Sequence, residues 1–208
     1  RGEALPGDDT ATLARVAVMS GGGRTVLWVV QGREEPRGNG VAQEGPPFAL
    51  GRNLINANVV GPNFFETLGI AQLAGRAFDG GDAAEAPRVA IVNDAGAKLH
   101  FADASPIGAR ISIAGPQGPW HEIVGVVGNS KYADLGENDL PVVYVPLAQN
   151  HETGMTLYVR AAVAPESLIG AIRREIQSLQ PALPLLDARI MTDTIGSALY
   201  SASMTARL

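Results

Sequence analysis

The chain is 208 residues long, 46% hydrophobic and 18% charged, with a formal net charge of −5 and no cysteine. That length allows one large domain or two small ones with real cores, and the lack of cysteine removes disulfides, thiolate metal sites and cysteine nucleophiles together. The 16 Lys and Arg are scattered, with Arg173-Arg174 the densest group, so the basic stripe of a phosphate-tracking nucleic-acid binder is absent.

In chain order, residues 1–12 are polar, contain Pro and Gly, and read as a frayed start. Leu13 to Met19 and Thr25 to Gln31 are Val-rich apolar runs around Ser20-Gly21-Gly22-Gly23, the pattern of strand, flexible turn and strand. Gly32 to Arg52, with its Pro, Gly and charged residues, reads as a long loop of the kind that is uncommon inside a compact domain. Asn56 to Val60 predicts a strand. Gly61-Pro62 then opens a short helix with Pro at its first position, which carries Phe64, Phe65 and Leu68 on one face and ends at Gly69. Val89 to Val92 predicts a buried strand, followed by a helix to about Phe101 that Asn93 or Asp94 can cap.

Further strands are expected at Arg110 to Ile113, at Glu122 to Val127 and at Val142 to Val145. The second of these is a nearly continuous apolar run, as for a strand covered on both faces. Met155 to Arg160 alternates, with Met155, Leu157 and Val159 on one side. Pro165 starts a helix with Leu168, Ile169, Ile172, Ile176 and Leu179 in one stripe, Pro181 ends it, and Leu185 to Ile190 alternates again. That is a strand–helix–strand unit. Thr192 or Asp193 caps a final helix. No segment reaches the ~18 consecutive apolar residues of a membrane-spanning helix, and no signal peptide opens the chain. It begins at Arg1 without a Met and stops at Leu208 inside a predicted helix, so flanking parts of a longer natural protein are expected.

Few residues point to chemistry. His100, His121 and His151 lie twenty or more residues apart without metal-ligand spacing, and solvent-exposed or strand-edge positions are the ordinary expectation. Asp79, Asp82 and Glu85 crowd one loop, but without the alternating oxygen ligands and closing Glu of an EF-hand; a solvated acidic turn is the simpler reading. Gly125 to Gly128 followed by Lys131 lacks the adjacent Gly-Lys-Ser/Thr of a phosphate loop and reads as a strand ending in a turn. Phe64, Phe65, Phe78 and Trp120 could stack a ligand, although core packing is the commoner use. There is no GxSxG elbow. The residues alone describe a non-catalytic α+β domain.

An ordered set of phrases adds to this. Val59-Val60-Gly61-Pro62-Asn63-Phe64-Phe65-Glu66-Thr67-Leu68-Gly69-Ile70 precedes Leu73-Ala74-Gly75-Arg76-Ala77-Phe78 and then Asp82. Pro87-Arg88-Val89-Ala90-Ile91-Val92-Asn93, Ser105-Pro106-Ile107-Gly108, Glu122-Ile123-Val124-Gly125-Val126-Val127-Gly128 and Val143-Tyr144-Val145-Pro146 follow. This order resembles the periplasmic core domain of MacB-like, FtsX-type ABC transporter permeases, especially the permease family expanded in acidobacteria. The resemblance spans roughly residues 13–208, with its specific motifs in 56–146.

The resemblance implies a porter-like α/β lobe from 1–23 and 149–208, with its N-terminal part truncated, and an inserted, mainly-β, sabre-like lobe from 24–148. It implies a bacterial inner-membrane protein whose periplasmic domain transmits ATP-driven conformational change to export or to lipid and lipoprotein handling. The implied partners are its own transmembrane helices, an ABC ATPase, a periplasmic adaptor or lipoprotein, and a second copy in the intact transporter. It carries no catalytic residue, metal or cofactor into this domain, ATP being bound on a separate nucleotide-binding domain. Gly69, Gly75, Gly108 and Gly128 are then architectural, and Arg76 pairs with Asp79 or Asp82 or lies over the core. The other classes are a free-standing small-ligand or metal-binding domain or enzyme, with a site between loops 79–85 and 32–52, and an adaptor-docking module.

Overall fold

The computed structural model describes residues 8–33, 54–102, 104–132, 135–184 and 187–205; most of the loop predicted from Gly32 to Arg52 lies outside them. The strands are β1 (Asp8–Ala14), β2 (Thr25–Leu27), β3 (Val29–Val30), β4 (Leu54–Val60), β5 (Gln72–Gly75), β6 (Val89–Asn93), β7 (Arg110–Ser112), β8 (Trp120–Val127), β9 (Val142–Pro146) and β10 (Thr156–Ala161). The helices are α1 (Phe64–Leu68), α2 (Asp94–Phe101), α3 (Pro165–Leu179) and α4 (Met191–Thr205). The expected mixture of α and β is present, dominated by one mixed sheet in the order β10-β1-β4-β9-β6-β8-β7-β3. No helix among the described residues is long and apolar enough to cross a membrane.

The pairing returns on itself. β2 lies antiparallel to β4 and β3 antiparallel to β7, although β2 and β3 are separated only by Trp28. The run predicted as one strand from Thr25 to Gln31 therefore breaks at buried Trp28 and changes partner there. Together with the parallel pairs β4–β9 and β6–β8 and the antiparallel pairs β6–β9 and β7–β8, this closes a ring of strands. Ile55, Ala57 and Val59, with Ala90, Val92, Val143 and Val145, fill one side of the ring's wall with Trp28 and Phe101. Val60, Ile91, Val142 and Tyr144 point the other way, against Phe64 and Phe65 of α1. The period of two along β4, β6 and β9 produces both cores from one set of strands. In β8 a register shift between Ala90 and Ile91 of its partner lets Ile123 and Val126, three residues apart, face the same core; such an irregularity inserts a residue and re-aims the chain.

β1 and β10 stand outside the ring as an antiparallel ribbon. The first strand is Asp8–Ala14, displaced from the expected Leu13 to Met19. Beyond Arg15, whose N still donates to Val59 O at 2.9 Å, side chains take over the backbone's hydrogen bonds: Val16 N donates to Asn58 Oδ1 at 2.9 Å and Val18 N to Tyr158 Oη at 2.9 Å. Helix α1 starts at Phe64 rather than at Pro62, since Asn63 takes the left-handed conformation, φ 58°, that Asn tolerates. Its end is as expected, with Gly69 at φ 69° and Ile70 N donating to Phe65 O at 2.7 Å, a Schellman closure. Asn93 caps α2, its Oδ1 accepting from Gly96 N at 2.9 Å. Among the described residues of the predicted strand at Leu185 to Ile190, 187–190 are in no ladder, and Arg189 Nε instead donates to Asp187 Oδ2 at 2.5 Å.

Candidate functional site

The histidines do not converge. His121 is buried within β8, and His100 is partly buried on α2 with its ring stacked on Trp28 at 4.7 Å; only His151 is exposed as expected. Burial, with help from the Arg33 charge, holds His100 down to about 4. Burial and then Arg88 lower His121 as well. Both are neutral packing groups near pH 7.

The acidic loop is held by an arginine. Arg76 grips Asp82 with two parallel bonds, Nη1 to Oδ2 and Nη2 to Oδ1, both 2.8 Å, and reaches Asp79 Oδ2 at 3.4 Å. Asp82, only 4% exposed, also accepts from Asp79 N at 3.0 Å. The Arg76 guanidinium keeps that carboxyl below the ordinary range against the opposing effect of burial. Such a two-pronged bond fixes a loop's shape, and it consumes the oxygens a cation would need. Among the described residues no group of three or more His, Asp or Glu is placed to hold a metal.

Gly125 lies inside β8, where a Cβ would come 2.2 Å from Arg76 O; Gly75 on β5 meets Val124 O at the same 2.2 Å. These glycines let two backbones touch, which is their use at a close approach. The expected strand is present and ends at Val127, and beyond it Lys131 donates to Asp139 Oδ1 at 2.8 Å and to Glu137 O at 2.6 Å. The aromatics form core. Phe64 lies edge-on to Phe65 at 5.5 Å, Phe65 edge-on to Tyr144 at 5.1 Å, and Phe65 tilts against Phe78 at 6.2 Å. Trp120 is not among these contacts and sits half-buried at the start of β8. Beside the cluster, a shallow cleft of about 70 Å³ lined by Gly61, Asn63, Glu66 and Phe78 falls far below the ~300 Å³ at which small-molecule pockets begin.

The polar side chains that do converge lie where the ribbon meets the ring, at positions far apart in the chain that no motif or spacing marks. Asn58, 1% exposed on β4, accepts from Val16 N, donates to Val16 O at 2.9 Å and donates to Tyr132 Oη at 3.1 Å. Tyr132 in turn donates to Tyr144 Oη at 3.4 Å, which also lies 3.2 Å from Ser130 Oγ. Burial raises both phenols, so they remain neutral donors. On the outer side, Glu152 binds Arg15 Nε at 3.1 Å and Arg24 Nη1 at 2.7 Å. The arrangement links ribbon and ring through buried neutral hydrogen bonds on one side and a half-exposed ion-pair cluster on the other.

The architecture is shared with solved structures. The periplasmic region of MacB from Actinobacillus actinomycetemcomitans matches with a TM-score of 0.56 at 16% identity, over 85% of this chain and 69% of that one. The extracellular domain of the noncanonic ABC-type transporter YknZ from Gram-positive bacteria matches at 0.53 and 16%, covering 86% and 79%. A domain of a putative permease from Porphyromonas gingivalis matches at 0.52 and 18%, covering 84% of this chain and 65% of that one. Among curated proteins, none is similar enough in sequence to count as a match. The sequence itself matches the family of MacB-like periplasmic core domains over residues 4–179. That match takes in the ribbon, the whole ring and α3, and the chain therefore belongs to the MacB-like periplasmic core domain family.

Proposed function

We propose that this chain is the extracytoplasmic domain of an ABC transporter permease, and that it passes ATP-driven movement of transmembrane helices outward to export or to lipid and lipoprotein handling. The observation that carries this is the family match across residues 4–179. The geometry fits the role, because a closed ring moves as one body while the ribbon reaches it through a narrow joint. In this reading the span 24–148 is the inserted lobe and 1–23 with 149–208 the porter-like lobe. Its support is that every ring strand lies between Thr25 and Pro146 and both ribbon strands lie outside. The domain needs no cofactor of its own, since ATP binds a separate ABC ATPase. Its partners are the transmembrane helices of its own protein, a periplasmic adaptor or lipoprotein, and a second copy in the intact transporter.

The test uses the intact protein encoded by the full gene, reconstituted with its ATPase and spin-labelled once on the ribbon and once on the ring. A ribbon–ring distance that changes between ATP and nucleotide-free states is expected. A distance indifferent to nucleotide, with the ATPase turning over, refutes the transmission role.

A further inference from the structure

The joint between ribbon and ring has the parts of a latched pivot. Ribbon strands β1 and β10 share a long register, from Asp8↔Ala161 to Ala14↔Thr156. β1 meets ring strand β4 at a single registered pair, Ala14↔Val60. Only two further backbone bonds flank it, Arg15 N to Val59 O at 2.9 Å and Gly61 N to Leu13 O at 2.7 Å. At Gly61 the backbones lie so close that a Cβ would stand 3.1 Å from Leu13 N. A ladder this short fixes a point of contact but resists rotation weakly, because each strand pairing is stiffened by the pairs on either side.

Below the contact the bearing is aromatic. Phe64 lies 5.9 Å from Tyr144 of the ring and edge-on at 6.3 Å to Tyr158 of the ribbon. The hydrophobic part of such contacts is non-directional and tolerates small displacements, while the ring quadrupoles favour the edge-on arrangement seen at Tyr158. The connection from 15 to 24 is held chiefly by the ring, since Asn58 holds Val16, while one bond, Val18 N to Tyr158 Oη at 2.9 Å, reaches across to the ribbon. Further along it, Gly21 N donates to Tyr132 O at 3.0 Å, and Ala57 N of the ring donates to Arg24 O at 2.7 Å. Glu152 lies on the other crossing, the return from β9 to β10. One carboxylate, 18% exposed, therefore ties the return segment to both ends of the ring-held connection, through Arg15 at 46% exposure and Arg24 at 53%.

We propose that the β1–β10 ribbon pivots on the ring at Ala14 and Val60, and that Glu152, gripped by Arg15 and Arg24, is the latch that selects the observed orientation. The latch rests on the transmission reading for its purpose, but the pivot is a property of this chain alone. Ionic bonds suit a latch because their direction is set by geometry, and at half-exposed sites they break and re-form without unfolding the body they join.

The chain has no cysteine, so nitroxide pairs are placed cleanly in the 208-residue protein. Ala162→Cys with Gln117→Cys reports ribbon against ring, and Leu99→Cys with Gln117→Cys reports within the ring body; all three positions are exposed. Glu152→Ala and the double variant Arg15→Gln, Arg24→Gln are each expected to widen and shift the ribbon–ring distance distribution and to leave the ring-body distribution as in the parent. A ribbon–ring distribution that superimposes on the parent in either variant overturns the latch, as does equal widening in both pairs, which signals general loosening. If the variants behave as expected while the intact transporter's ribbon–ring distance ignores nucleotide, the transmission reading falls and the latched pivot stands.

Discussion

Replacing Asn58 by alanine tests whether the joint is held from inside by hydrogen bonds or only by packing. Asn58 Oδ1 is the acceptor for Val16 N, and its Nδ2 serves both Val16 O and Tyr132 Oη. Truncation leaves three polar groups without this partner in a region shielded from water. Each buried group stranded in this way costs about 1–3 kcal/mol. Tyr132 retains Tyr144 Oη at 3.4 Å, and the space vacated by an amide can admit a water. The low end of the range therefore applies, about 3 kcal/mol for the set. In a protein of this length that corresponds to a fall in Tm of about 6–12 °C. Urea unfolding followed by far-UV circular dichroism, with Tyr132→Phe and the double variant completing a cycle, measures both the total and the Asn58–Tyr132 share. A coupling of about 1 kcal/mol is expected between two contacting side chains. A loss below about 1 kcal/mol for Asn58→Ala would refute the reasoning, since it would mean that the shielded groups find water in its place.

His100, held down to about 4 from an ordinary 6.5, makes stability pH-dependent. The unfolded chain takes up a proton near pH 6.5 that the folded chain refuses until about pH 4, so stability is full above that window and falls through it. Its partial exposure limits the loss to about 1–2 kcal/mol, and His100→Leu is expected to flatten the Tm–pH profile between those values; an unchanged slope would assign it elsewhere. Asp82→Asn removes one charge of the Arg76 clamp and is expected to cost about 2 kcal/mol at pH 7. The cost shrinks as the pH falls through the lowered Asp82 range, where the parent's own carboxylate takes up a proton; chemical denaturation at several pH values reads this, and a constant difference contradicts it. Gly125→Ala puts a methyl 2.2 Å from Arg76 O and is expected to cost about 2–3 kcal/mol by overpacking. Gly128→Ala, whose nearest contact is 3.7 Å, is the paired control, expected to cost less than about 0.5 kcal/mol.

The elements legible in the sequence were those whose pattern is local. The apolar run at β8, the Asn93 cap and the Gly69 stop each announce themselves within a few residues, because the physics of a strand, a cap or a helix end spans only that many. β5 escaped notice: Gln72 to Gly75 is exposed throughout and has no alternation, and it becomes a strand only because Gly75 and Gly125 allow two backbones to touch. β1 escaped for the opposite reason. Its inward residues Thr12 and Ala14 are buried, but polar Asp8, Asp9 and Thr10 hide the period, while the more hydrophobic stretch after Ala14 is spent on side-chain bonds to Asn58 and Tyr158. The joint was wholly illegible. Arg15, Arg24 and Glu152 are unremarkable charges until the fold carries residue 152 across to residues 15 and 24, and a single sequence holds no record of that meeting. Trp28 likewise looked like the middle of one strand, and only the curvature of the closed sheet makes it a corner.

Closure also sets an order of events at the ribosome. The segment bearing Trp28 emerges early, yet Val29 and Val30 find their ladder only on Ile111 and Ser112, which are synthesised much later. Until then Val29 and Val30 have no ladder partner, and apolar surface left waiting in this way is prone to wrong associations. Non-local pairings of this kind also slow the search for the native state, because the connecting chain must lose its freedom before the contact rewards it. A nascent chain of this protein therefore passes through a stretch of its synthesis in which part of the interior is made and the ring cannot yet be closed, and that interval is where holding chaperones would have the most to protect.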